Sequence, residues 1–167
     1  MKTDKQLETL RKLCKVVFVD PERKELPDLE RLTAEGLAKF RGKTQYREVA
    51  SVEVEMPRAL QARTSADSVV KEVSRAVEHG GSIDGARSRQ SSAEITGSVV
   101  RNPDAMALLV KLQEKSGTVL GRAVEISVLM TVFGRFLQLP EERLEILGML
   151  GLLQDVGKLR LPAELRS

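Results

Sequence analysis

The stretch VLGRAVEISVLMTVFGRFLQLPEERLEILGMLGLLQDVGKLRL, Val119–Leu161, decides the fold. In its first part Val119, Ala123, Ile126, Met130, Phe133 and Leu137 recur at steps of four and three, which predicts a helix with one continuous apolar face. Leu139-Pro140-Glu141-Glu142 then ends one helix and starts another, with Pro140 in a first-turn position and two acids at the positive end of the new macrodipole. The second helix carries Leu144, Ile146, Leu147, Leu150, Leu152 and Leu153 and is apolar nearly all round. Gly148 and Gly151 are costly inside a helix, so they predict close approach of a neighbouring backbone.

Upstream, Pro57 opens a long helical pattern in which Ala59, Ala62, Ala66, Val69, Val73 and Ala76 alternate by three and four. This narrow seam of small residues suits either packing inside its own domain or a helix pair between two chains. His79-Gly80-Gly81 reads as the helix end, with a glycine in the left-handed cap conformation. A weaker helix spans Ser82–Arg101. Asn102-Pro103 ends it and caps the next, which carries Ala105, Leu108, Leu109 and Leu112. At the N-terminus Leu7, Leu10, Leu13 and Cys14 share a helix face, followed by the β-branched run Val16–Val19. The division expected is a small helix–strand unit over residues 1–20, a linker over 21–52 holding one short helix near Leu29–Phe40, and a helical domain over 53–167. The fold class is mainly α, a helical bundle.

Composition narrows the function. Without a long uncharged apolar run or a signal-peptide pattern, the chain reads as a cytoplasmic protein with no membrane span. Its net charge of +3 is spread among 24 acids, and aromatics are 3% of residues, too few for a base-stacking platform, so no nucleic-acid partner is expected. Cys14 is alone and reads as a structural thiol. No glycine run has the spacing of a phosphate-binding loop.

The run from Gly134 to Pro162, with Leu152-Leu-Gln-Asp-Val-Gly-Lys158 at its centre, resembles the first part of an HD-GYP domain, the metal-dependent cyclic di-GMP phosphodiesterase branch of the HD superfamily. Arg101–Lys115 is similar to the lead-in of such proteins, and Leu10–Asp20 to the end of the small segment that often precedes them. The resemblance implies an HD-like helical bundle holding divalent iron, manganese or a similar metal through His and Asp side chains. That chemistry acidifies a bound water for attack on phosphorus and needs several converging ligands. The family's His-Asp dyad is Gln154-Asp155 here, and its earlier metal-binding His aligns with Arg122. A Gln amide oxygen is a poor substitute for imidazole, and a guanidinium has no lone pair to offer. The single histidine, His79, lies in another segment, and the sequence ends at Ser167, ahead of the family's later ligands and Gly-Tyr-Pro signature.

Arg122, Gln154, Asp155 and Lys158 therefore read as the remnant of an HD site, with no catalytic residue, metal or cofactor assigned. Arg122 is expected either to pair with Asp155 in place of a metal, or to point to solvent. Lys158, Arg160 and Arg166 make a small basic end. The expected function is a truncated, catalytically inactive HD-GYP-like module, acting through a protein partner or homodimer in cyclic di-GMP signalling. The alternative is a fragment or subunit of a metal-dependent cyclic di-GMP phosphodiesterase. Binding of cyclic di-GMP itself is conceivable, but no guanine-binding residue can be named.

Overall fold

The computed structural model describes residues 8, 12–13, 36–112 and 119–161, with the side chains of 119–121 left aside. The chain divides into two compact units, Met1–Lys39 and Phe40–Ser167. In the first, Glu8, Lys12 and Leu13 are helical; the rest of the expected helix, and the strand at Val16–Val19, lie outside the described residues. The regular elements of the second unit are all helices, with no strand among the described residues. Its elements are α1 (Val52–Glu78), α2 (Gly85–Arg101), α3 (Pro103–Leu112), α4 (Val119–Phe136) and α5 (Glu141–Leu153), followed by the 3₁₀ helix Val156–Arg160.

Helix α1 starts at Val52, ahead of Pro57, which sits inside it. Ser51 caps the helix by accepting from the Val54 amide, and Glu53 and Glu55 place negative charge in the first turn. These signals outweigh the N–H that Pro57 lacks. At the other end the Gly81 amide donates to the Ala76 carbonyl at 2.7 Å and that of Gly80 to Val77 at 3.3 Å, with Gly80 at φ +71°, the double closure that a left-handed glycine allows. Asp84 caps α2 through the amides of Ala86 and Arg87. Asn102 ends α2 and caps α3, its Oδ1 accepting from the Asp104 and Ala105 amides with Pro103 in first position.

The core joins Ala59, Ala62, Ala66 and Val70 of α1 to Ile95 and Val99 of α2, Ala105 and Met106 of α3, Ala123, Val124 and Val128 of α4 and Leu152 of α5. Small residues on α1 let four other helices approach one long axis.

Helices α4 and α5 pack as an antiparallel hairpin. Its turn carries Gln138 at φ +58°, and Pro140 is the N-cap of α5, one position before the expected first turn. A Cβ on Gly151 would lie 2.5 Å from the Ser127 Cα, the close backbone approach its placement predicts, whereas one on Gly148 would lie 2.5 Å from the Ser92 Oγ, so there the close neighbours are side-chain hydroxyls and not backbone. Ser127 and Ser92 donate to the Gly148 and Glu145 carbonyls at 2.8 and 2.6 Å, tying α4 and α2 to α5.

Residues 41–50, within the stretch read as a linker, form an extended strap along this second unit. The amides of Gly42 and Thr44 donate to the Leu137 and Gln138 carbonyls, and the Val49 amide to the Arg101 carbonyl. The Tyr46 hydroxyl donates to the Leu139 carbonyl at 2.6 Å, its ring lies under the Arg135 guanidinium, and Asn102 donates to the Ala50 carbonyl. Burial and the nearby Glu141 carboxylate push the Tyr46 phenol above its ordinary value, so it remains a donor.

Candidate functional site

Helix α5 runs out at Gln154, which keeps helical dihedrals as C-cap, and Asp155 follows at φ −101°, ψ 4°. The chain then tightens into the 3₁₀ turn, the Lys158 amide donating to the Asp155 carbonyl at 2.9 Å. Leu159 is buried and anchors the turn, while Gly157 faces open space. This geometry brings Lys158 Nζ to 2.8 Å from Asp155 Oδ1. The tighter 3₁₀ repeat eclipses residues three apart, which is why positions 155 and 158 meet.

Asp155 therefore takes its cation from its own turn. Arg122 is exposed near the start of α4 and makes no ion pair with Asp155 among the described residues, so the expected Arg122–Asp155 bond is replaced by its alternative, Arg122 facing solvent. Gln154 is exposed as well. His79 is at the end of α1, its Nδ1 2.7 Å from the Arg75 carbonyl.

A divalent metal at this corner does not fit the residues present. The described residues contain no group of three or more His, Cys, Asp or Glu side chains that could hold one. The Asp155 carboxylate is engaged by the Lys158 ammonium, and the adjacent Gln154 carries a neutral amide.

The seam on α1 points inward. Ala59, Ala62, Ala66, Val69 and Val73 are buried within the chain and Ala76 is partly buried, the own-domain packing of the two arrangements the seam allows.

Sequence reasoning missed a different charged site. The Glu55 carboxylate is fully buried at the start of α1 and receives two hydrogen bonds from the Arg101 guanidinium at the end of α2, at 2.7 and 2.8 Å. Burial acts to raise the Glu55 pKa, but the Arg101 hydrogen bonds, the Ser98 hydroxyl and the charges of Arg101 and Arg58 outweigh it and hold the carboxyl below its ordinary value. The same hydrogen bonds hold Arg101 above its own. Beside the pair, Arg58, Gln61, Ser65 and Glu94 line a groove of about 450 Å³ between α1 and α2. With 46 residues separating Glu55 from Arg101, no local spacing announces the contact. Nearby, the buried Arg63 donates to the Leu109 carbonyl near the end of α3.

No family model matches the chain, and no solved structure does. Among curated proteins it is 31% identical, over 112 residues, to the cyclic di-GMP phosphodiesterase PA4108 of Pseudomonas aeruginosa. The match takes in 67% of this chain but only 27% of that protein, so the chain spans about a quarter of the length of the relative it matches. The all-α bundle and this match together relate the chain to a cyclic di-GMP phosphodiesterase.

Proposed function

We propose that this chain is a non-hydrolytic, HD-GYP-like module that acts through protein contacts in cyclic di-GMP signalling. The observation that carries the reading is the Asp155–Lys158 ion pair at 2.8 Å, flanked by Gln154 and with Arg122 exposed on the preceding helix. Hydrolysis of a phosphodiester in this superfamily relies on metal-bound water. An ammonium engaging the carboxylate neutralises it without offering a water of lowered pKa.

The test is to load the purified chain with manganese or ferrous iron, remove the excess, and measure metal per chain and turnover of cyclic di-GMP. Less than about a tenth of an equivalent of metal, with no turnover, is expected for a site of this ligand set. A stoichiometric metal with turnover would overturn the reading in favour of a metal-dependent phosphodiesterase piece.

A further inference from the structure

Helices α1 and α2 run antiparallel. Glu55 near the start of α1 meets Arg101 at the end of α2, and Glu72 near the end of α1 meets Arg87 near the start of α2, at 2.8 Å. The groove between the two helices is therefore ordered along its length. Arg58 and Arg101 stand at one end, Gln61 and Gly97 in the middle, and Ser65 and Glu94 at the other. Seven residues of helix separate Arg58 from Ser65, and Glu94 from Arg101, a span of about 10 Å.

The basic end is held in place from below. Buried Glu55 takes Nε and Nη2 of Arg101, which fixes the plane of the guanidinium and leaves Nη1 over Gly97, where a Cβ would lie 3.2 Å from it. The Arg58 charge acts on the same carboxylate, so the two guanidiniums lie near one another, and Arg58 is itself exposed. At the far end Glu94 is part-buried and accepts a long hydrogen bond from Gln90 at 3.3 Å. With Glu55 counted, two guanidiniums face two carboxylates, so the groove has no net charge but is polarised from end to end. A bare anion gains little from such a groove. A ligand with an oxyanion at one end and hydrogen-bond donors at the other gains at both.

The two ends also select the groups they would hold. Guanidiniums present planar N–H forks that match the oxygens of a phosphate. A carboxylate only accepts, and two adjacent N–H donors match it best. Among nucleobases guanine offers that pair, N1–H beside the N2 amino group. Adenine and cytosine set an acceptor next to their amino group, and uracil flanks its N–H with carbonyls. Ala62, Ala93 and Gly97 leave a low floor on which a planar ring can lie, and Gln61 and Ser65 stand where the sugar hydroxyls would pass. At about 450 Å³ the groove has the size of a small-ligand site.

We propose that the α1–α2 groove binds a guanine nucleoside monophosphate, with the phosphate on Arg58 and Arg101 and the base edge on Glu94. The groove shares no residue with the Asp155 corner and does not depend on how that corner is read.

Calorimetric titration in EDTA, with guanosine monophosphate (GMP), AMP, guanosine and inorganic phosphate as probes, tests this. GMP is expected to bind with a Kd below about 1 mM, and the other three roughly tenfold or more weakly. No binding of GMP up to about 5 mM would overturn the inference. So would AMP or phosphate binding as tightly as GMP, since either result would leave one end of the groove idle. Glu94→Gln should weaken GMP roughly tenfold while AMP, whose donor and acceptor match an amide, holds or gains. Arg58→Ala should weaken GMP and AMP alike, again roughly tenfold. Both variants replace side chains that are not buried with good helix formers, so helix content and melting temperature should hold. GMP binding that survived both substitutions would place the ligand outside this groove and overturn the inference. Because the titrations contain EDTA, their failure would leave the reading of the Asp155 corner standing, and metal loading with turnover at that corner would leave this groove untouched.

Discussion

Asp155 and Glu55 are two carboxylates with opposite demands on their surroundings. Asp155 is partly exposed and its Lys158 partner is half in water, so the pair is screened. Lys158→Ala should change unfolding free energy in urea by less than about 1 kcal/mol. Glu55 has no water to fall back on, and Arg101→Ala would strand it, costing about 3 kcal/mol, with the partial exposure of Arg101 keeping the loss at the low end for a broken buried pair. The pH dependence should change sign with that substitution. In the wild type Glu55 is held below 4.5, so its contribution is present above that value and is lost as pH falls through the folded pKa. Without Arg101, burial, the largest influence on Glu55, is opposed only by the Ser98 hydroxyl and the Arg58 charge and raises its pKa, so stability should instead fall as pH rises above 4.5. Urea midpoints for both chains between acid and neutral pH would show whether the slopes oppose.

Among the elements, the α4–α5 hairpin and the strap that crosses its turn are tuned by contact distance. A methyl at Gly151 would meet the Ser127 backbone, which cannot rotate away, whereas one at Gly148 would meet hydroxyls of Ser92 and Thr131 that can turn. Gly151→Ala is therefore expected to cost about 1–3 kcal/mol and more than Gly148→Ala, read from denaturant midpoints. The strap depends on fewer bonds. Tyr46→Phe removes the donor to Leu139 but keeps the ring against Arg135, so a loss near 1 kcal/mol is expected, with faster amide exchange confined to the strap and the hairpin turn.

On the scale of the molecule, the core of the second unit is built from apolar side chains of all five helices. α1 is the common wall for the other helices, and Leu159 of the terminal turn is buried with them. A chelator should leave its melting temperature unchanged; a fall on chelation would mean that a bound metal stabilises the folded state. No helix among the described residues is long and apolar enough to cross a membrane. Among the described residues, Leu129, Phe133 and Phe136 of α4 and Ile146 and Leu150 of α5 stay exposed.

What could be read from the sequence alone was what is encoded over one or two turns of chain. Asn102-Pro103 announces a cap because its partners are two and three residues away. Gly80-Gly81 announces a helix end, and Gly148 and Gly151 announce close packing, because only glycine tolerates those positions cheaply. Longer-range choices came only with the tertiary structure. Asp155 pairs with Lys158 and not Arg122 because the chain tightens from α to 3₁₀ there, while Arg122 lies exposed on α4. The Ala–Val seam packs inside the domain because four helices converge on α1. Glu55 meets Arg101 because α1 and α2 cross where Ser51 and Asn102 start and stop them. Pairings of that kind depend on the angle and depth at which helices dock, and those are set by the sum of many side-chain volumes rather than by any spacing along the chain.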